Sequence, residues 1–556
     1  MRPRGATAEW AALLVIGACS GPPGLTRATD AAQLPGDAGL PDTAIPLPDA
    51  VPLIPVEFGD ETLGAGLPNT VVDCLIFEDF DDDGLPDLLA AVNSDGIWLY
   101  RNRGDGTFVP LRITEPLTFA DDCVAGDFDE DGKMDVAIAT GSDQIRLFRG
   151  IGDGRFQDVS NRVPSLSAKT TAGVHRVAFL DYDGDGRLDL LATYFPRGFV
   201  AVGELVCDFI ADGDIRCDAL PNEVMVAPQL LHNDGAAFSI VPGAFAASDA
   251  RGVNALATVD WDQDGYVDIF ASIDFEVNAL WRNVDGTGVF EDILPALGAG
   301  EYNHGMGAAI ADFDEDGVLD IYVADLGANQ LWLSRDGLLE NHAVATGIAD
   351  ATRLTSSWSP VAADFDRDGH LDIFLVLTLL ELTEEMFMNG LRMDVLLESD
   401  VVQRDLLFAR FGATYKLQEF LRPGTFPTVG QGASAVADYD FDGDLDLFEA
   451  YAWPRESRLL VNNSPSTGHW LQVRLEPFGS ARTDAALVEL QACGRRQLRL
   501  STSAPGGVGH GTRTVHFGLG PCAVIERVSV TWPGGNVTDA PGTLTIDSLL
   551  VVTRPG

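Results

Sequence analysis

The sequence predicts an all-β chain: a seven-bladed β-propeller followed by a small β-sandwich-like domain. Three observations predict it. The nine-residue pattern D-x-D-x-D-G-x-x-D occurs seven times. Each copy runs directly into a short apolar stretch of strand formers, such as Leu88-Leu89-Ala90-Ala91 or Ile269-Phe270-Ala271-Ser272. The first Asp of successive copies is separated by 48, 54, 79, 52, 52 and 74 residues, and a period near 50 of short strands is that of propeller blades or a β-solenoid.

The chain opens with Arg2 and Arg4 before an apolar run, Ala11 to Ala18, that ends at Cys19. Residues 1–19 therefore read as a lipoprotein signal peptide with Cys19 as the lipidated residue, the run being too short to span a bilayer. Residues 20–54, rich in Pro, Ala, Gly and Asp, read as a disordered tether.

Residues 55–463 hold the repeats. The aspartates are Asp79, Asp81, Asp83 and Asp87; Asp127, Asp129, Asp131 and Asp135; Asp181, Asp183, Asp185 and Asp189; and Asp260, Asp262, Asp264 and Asp268. Three more sets follow: Asp312, Asp314, Asp316 and Asp320; Asp364, Asp366, Asp368 and Asp372; and Asp438, Asp440, Asp442 and Asp446. Carboxylates at loop positions 1, 3, 5 and 9, with a carbonyl near position 7, surround one point with hard oxygens, which suits Ca²⁺; about seven ions are expected. Gly at position 6 supplies the positive φ of so tight a loop. An EF-hand would need Glu at position 12, which holds Ala90, Ile138, Ala192, Ala271, Val323 and Leu375 in the first six copies. Position 2 is always aromatic, from Phe80 to Tyr439, and reads as a buried plug beneath each loop.

Downstream of the loops a hairpin recurs, as in Arg101-Asn102-Arg103-Gly104-Asp105-Gly106-Thr107-Phe108, so each repeat supplies the four strands of a blade. The Arg103-Gly104-Asp105 tripeptide belongs to that hairpin and reads as turn chemistry. Val56 to Leu67 resembles the segment after other repeats and is a candidate for the strand that closes the ring, which removes exposed sheet edges. The two long intervals imply insertions near 195–230 and 380–430, of which Leu380 to Phe411 reads as helical.

Residues 464–556 lack the loop and alternate in short strands: Trp470 to Leu475, Ala486 to Leu490, Val515 to Phe517 and Val528 to Trp532. On the nine-residue loop and the N-x-G-D-G-x-F hairpin, residues 55–463 resemble the FG-GAP/VCBS repeats of integrin-type propellers. The tail resembles the ASPIC/UnbV domain through Gly468-His469-Trp470-Leu471, His516-Phe517-Gly518-Leu519-Gly520 and Trp532-Pro533-Gly534-Gly535. Together they make the chain similar to a bacterial relative of the cartilage acidic protein family. That resemblance implies a scaffold and no mechanism for the tail.

The formal charge is −48, and the 28 loop aspartates are a third of the 84 acidic residues. Such a surface disfavours nucleic acid and anionic lipid. Apart from Cys19, six cysteines fit three disulfides in an oxidising compartment: Cys207 with Cys217, Cys493 with Cys522, and Cys74 with Cys123. No catalytic motif occurs, and no enzyme activity is expected. A ligand site is expected where the innermost strands begin, on the face opposite the loops. The candidate rim is Asp73, Asp121, Asp122, His175, Arg176, Asn254, His304 and Trp358, the bland reading being turn residues at the mouth of a water-filled channel. The expectation is a monomeric, lipid-anchored protein at the bacterial cell envelope or surface, binding a protein or glycan and touching membrane only through its anchor. The alternatives are a propeller enzyme using His175 or His304 as acid/base, and a purely structural envelope protein.

Overall fold

The computed structural model describes residues 56–67, 72–92, 95–114, 120–166, 172–196, 207–209, 215–217, 225–353, 355–379, 405–418, 432–451, 457–465, 468–507 and 509–555. The signal-peptide, Cys19 and tether expectations lie outside the described residues. The regular structure of the described residues is almost entirely strand; their α-helices are Ala343–Thr346 and Ile348–Thr352.

Seven blades of four antiparallel strands make up most of the described structure between residues 58 and 462, with two small two-stranded sheets beside them. The first blade is Val72–Glu78, Asp87–Val92, Gly96–Asn102 and Phe108–Arg112; the second is Asp122–Gly126, Asp135–Ala139, Ile145–Gly150 and Phe156–Asp158. The third to sixth begin at Ala172–Leu180, Gly252–Val259, Gly305–Ala311 and Ser356–Ala363. The seventh takes Gly432–Ala437, Asp446–Tyr451 and Arg458–Asn462 from its own repeat and its outer strand, Phe58–Asp60, from the other end of the chain, with Phe58 opposite Asn462. Each first strand packs on the first strand of the next blade, and Gly432–Ala437 returns to Val72–Glu78, so the ring closes.

An apolar cluster is buried at every blade junction, for example Phe77, Leu88, Ala435 and Phe448 between the seventh blade and the first. The strands are apolar on both faces because both faces meet a neighbouring blade. Six of the position-2 aromatics are buried in these junctions and Trp261 packs against one. The hairpin aromatic of the following blade packs on them: Phe108 stacks on Tyr439, ring centroids 5.7 Å apart, and Phe156 meets Phe80 edge to face at 5.9 Å.

The expected helix over Leu380 to Phe411 is corrected where it can be checked, because Leu406–Phe411 is the third strand of the sixth blade, pairing with Ile373 to Leu375. An unpaired sheet edge imposes strand on a segment whose leucine pattern reads equally as helix. Residues 380–404 lie outside the described residues. In the first insertion, Cys207–Phe209 pairs with Ile215–Cys217, which sets the two cysteine backbones opposite each other; their side chains lie outside the description. Cys74 is bonded to Cys123 across the first two blades and Cys493 to Cys522 in the tail, with Cα separations of 6.0 and 5.9 Å.

The C-terminal domain packs two sheets around Leu471, Val488, Phe517, Val530 and Trp532. One sheet centres on His469–Glu476, between Val515–Gly520 and Ser548–Thr553; the other runs Arg495–Ser501, Ala486–Ala492, Ile525–Thr531, Val537–Asp539. It sits directly on the ring of aspartate loops. Gly520 N–H donates to Arg367 O at 2.8 Å, Asp127 N–H donates to Gly479 O at 3.0 Å, and His516 Nε2 lies 3.0 Å from Gly443 O.

Candidate metal centres

One hydrogen-bond scheme recurs in all seven loops. The position-1 carboxylate accepts from the position-6 glycine N–H, as in Gly84 to Asp79 at 2.9 Å and Gly369 to Asp364 at 2.8 Å. The position-5 carboxylate accepts from the N–H two residues on, as in Tyr266 to Asp264 at 2.9 Å. The position-9 carboxylate is fully buried and spans the loop: in the second copy Asp135 accepts from Phe128 N–H at 2.9 Å and from Gly150 N–H, on the third strand, at 2.7 Å. The backbone turns twice through positive φ, at the position-6 glycine and again at position 4, where Asp82, Glu130, Gln263, Glu315, Arg367 and Phe441 lie between 55° and 64°. Position 4 is glycine only in the third copy, Gly184 at 73°, and sequence reasoning missed it.

These bonds bend the chain so that carboxylate oxygens converge. Asp79, Asp81 and Asp87 bring oxygens within 4.8 Å of one another, as do Asp127, Asp129 and Asp135, and Asp260, Asp262 and Asp268. In the third loop His232 joins Asp183 and Asp189 in such a cluster. Arginines approach the outer oxygens, Arg149 Nε reaching Asp129 Oδ2 at 2.6 Å and Arg101 reaching Asp81 Oδ2 at 3.7 Å. Oδ1 of Asp81, Asp129, Asp260, Asp312, Asp438 and Asp440 is buried without a hydrogen-bond partner. Buried oxygens left without a donor and facing other carboxylates are what a hard divalent cation satisfies.

The electrostatics agree. Burial first, then neighbouring carboxylates, push Asp135 and Asp189 up to about 9 and Asp87 and Asp268 up to about 8, against the hydrogen bonds that lower them. Position-1 residues Asp79, Asp127, Asp181, Asp260 and Asp312 are raised to about 6 for the same first reason. Four carboxylates in so small a space ionise together only beside a positive charge.

A second recurring residue escaped the sequence reading. Asn102, Asn233, Asn283 and Asn462 end their third strands, are buried, and each donates Nδ2 to two carbonyls. One belongs to position 8 of the residue's own loop and the other to the position-2 aromatic of the preceding blade. Asn233 thus reaches Leu188 O at 3.0 Å and Phe128 O at 2.9 Å; Asn462 reaches Leu445 O at 3.2 Å and Phe365 O at 2.8 Å. The signal was the asparagine inside the hairpin motif. It also explains the Asn462-Asn463-Ser464 sequon, whose asparagine is a buried clip.

The candidate rim is corrected. The structure buries Asp122, His175, Arg176, Asn254, His304 and Trp358, leaving only Asp73 and Asp121 partly accessible. Strand register shifts at Asp73, His175 and Asn254, and a β-bulge re-aims a side chain into the neighbouring blade. Arg176 donates to Asp121 O at 2.5 Å and to Asn254 O; Asn254 Nδ2 donates to Gly305 O at 3.0 Å; His304 Nδ1 lies 2.8 Å from Asp274 Oδ1. These side chains tie second to third, third to fourth and fourth to fifth blade. Burial raises Asp73 to about 7, with Asp121 adding, and burial with Arg176 lowers His175.

Comparison with known proteins follows the same division. The FG-GAP-like repeat family matches residues 79–138, 127–192, 260–323 and 312–375, and the ASPIC and UnbV family matches 484–556, although the described domain already includes His469–Glu476 in its sheet. Cartilage acidic protein 1 of Mus musculus is 30% identical over 281 residues, covering 49% of this chain and 40% of that protein. The Xenopus tropicalis protein is 29% identical over 302 residues, covering 52% and 43%. The chain thus spans about two fifths of these relatives' length. Among solved structures, BP39L lectin from Burkholderia pseudomallei is 12% identical with a TM-score of 0.40, covering 69% of this chain and 94% of that one. An Agrocybe aegerita lectin structure is 16% identical with a TM-score of 0.37, covering 71% and 88%.

Proposed function

From a chain that carries FG-GAP-like repeats and an ASPIC and UnbV domain, and whose relatives are cartilage acidic protein 1, we propose a calcium-stabilised extracytoplasmic β-propeller that serves as a binding or adhesion scaffold for a protein or glycan, held to the membrane through Cys19. The observation that carries the reading is the sevenfold hydrogen-bond scheme, which spends the carboxylates on shaping each loop and still leaves oxygens facing one another. Positions 1, 3, 5 and 9 would hold the ion, which there supplies only charge and coordination. The two disulfides support an oxidising, extracytoplasmic compartment.

Calcium's role is structural. With dissociation constants of about 10⁻⁴ to 10⁻³ M in millimolar calcium, mass action gives ~0.4 to 1.4 kcal/mol per site. Over seven sites that is ~3 to 10 kcal/mol, the scale of a domain's whole stability. Calcium titration by calorimetry, with bound metal counted by elemental analysis, tests it. About seven ions per chain and a melting temperature that rises on binding are expected; two or fewer would make most loops plain turns. The enzyme alternative gains no support, since His175 and His304 are buried and His304 is engaged by Asp274 of the neighbouring blade.

A further inference from the structure

The innermost strand of a propeller blade has one edge paired within its blade and the other facing the axis. Here that edge is met by the C-terminal domain. Between Arg495–Ser501 and Val515–Gly520 the chain leaves its own sheets and enters the ring. Ser503 Oγ donates to Phe179 O of the third blade at 3.0 Å. Thr258 N–H of the fourth blade donates to Ala504 O at 3.1 Å, and Ala308 N–H of the fifth to Gly506 O at 2.8 Å. Gly509–His510 pairs in parallel with Leu75 and Ile76 of the first blade, and Thr512 N–H donates to Val436 O of the seventh at 3.3 Å. Arg513 donates to Ala125 O of the second. Gly507 lies so near the sixth that a Cβ would stand 2.7 Å from Ser359 Oγ.

The composition of the segment follows from the width of the bore. A Cβ on Gly506 would meet Ala308 O at 2.3 Å, and one on Gly509 would meet Ser434 O at 2.3 Å. Backbone must run against backbone, and only glycine permits it. Two basic residues of the segment face two carboxylates of the ring: Arg513 N–H donates to Glu78 Oε1 at 3.0 Å with its guanidinium 3.9 Å away, and His510 Nε2 lies 3.6 Å from Asp122 Oδ1. All four are buried.

We propose that the axis of the ring is a binding chamber for an extended, glycine-rich, basic peptide segment, filled in this chain by its own residues 503–507 and 509–513. The C-terminal domain is the propeller's resident ligand. The recognition mode is strand addition, with backbone hydrogen bonds giving affinity and two carboxylates giving specificity.

The test uses the full chain with a protease site placed between Pro465 and Gly468, folded first and cut afterwards. The two pieces are expected to co-elute as one particle on size exclusion at micromolar concentration. Gly506→Val with Gly509→Val, cut in the same way, should dissociate at least tenfold faster. Separation of the wild-type pieces, or equal retention in the variant, overturns the proposal. Should the variant fail to fold, amide hydrogen exchange on the uncut native chain decides. Thr258 and Ala308 are expected to exchange at least a hundredfold more slowly than exposed amides, and rapid exchange at both overturns the chamber.

Discussion

Replacing Asn233 with alanine removes the two buried hydrogen bonds its Nδ2 donates, one inside the third blade and one across to the second, besides the bond its Oδ1 accepts from Gly235 N–H at 3.0 Å. Nδ2 lies 2.9 Å from Phe128 O and 3.0 Å from Leu188 O, and the residue is 1% exposed. Water cannot easily reach the carbonyls left behind. An unsatisfied buried acceptor costs about 1 to 3 kcal/mol, and since the two share one donor group the sum falls at about 2 to 4 kcal/mol. That is a large part of the 5 to 15 kcal/mol typical of a folded domain. Urea unfolding at saturating calcium measures it, provided the denaturant slope is unchanged between variants. Asn233→Asp should lose at least as much, because a carboxylate then faces two carbonyls. Thr107→Ala, which removes the one bond its hydroxyl donates to Asp105 Oδ1 at an exposed hairpin, should stay within about 0.5 kcal/mol. A loss for Asn233→Ala no greater than that of Thr107→Ala would refute the clip.

Chelation should lower the melting temperature sharply, and an unchanged melt in EDTA would refute the stabilising role of calcium. The metal-free protein should become less stable as pH rises. Asp135 and Asp189, raised to about 9, keep protons in the folded state that an unfolded aspartate gives up near 3.8, so their contribution is full below about 4 and is lost between about 4 and 9. Chelated samples should therefore melt higher at pH 5.5 than at pH 8, and calcium uptake at pH 7 should release protons, read by calorimetry in buffers of different ionisation enthalpy; higher stability at pH 8 would contradict it. Replacing both Cys74 and Cys123 by alanine should cost about 4 kcal/mol, from the chain entropy of a loop of 49 residues, measured by denaturant unfolding. A loss below about 1 kcal/mol would refute that origin.

The blade order, loop positions and closing strand were legible because they repeat, and a repeat amplifies signals that single copies carry weakly. The position-2 aromatics were legible too, since alternation at fixed offset marks a buried side chain. What repetition hides is relation between copies. The Asn233 clip pairs residues over a hundred positions apart, and nothing in its motif says that its donor serves the neighbouring blade. The rim was misread because counting back along an ideal strand ignores bulges, which turn His175 and Asn254 inward. The seat of the C-terminal domain has no periodicity at all. Its trace in the sequence is a charge contrast, eight arginines against six acidic residues in 464–556, whereas the rest of the chain is strongly acidic. Arg499 shows what that contrast is for: half-buried, with its pKa pulled down by desolvation, it is held in its charged form by Asp364, Glu315 and Asp312.

The strand Phe58–Asp60 completes the seventh blade, and Thr62 Oγ1 accepts from Leu459 N–H across 397 positions of sequence. During synthesis, blades can form in order as their residues emerge, but the circle cannot shut until the last repeat is made, nor fill until residue 513 follows. Closing a span of 397 residues costs ~2 kcal/mol more than closing one of 49, so the step is late rather than forbidden. Until then the chain is an open arc with unpaired inner and outer edges, the condition in which β-proteins aggregate. A chain cut short before Asn462 is accordingly an unfinished arc and not a smaller propeller, and the last blade governs the solubility of the blades made before it.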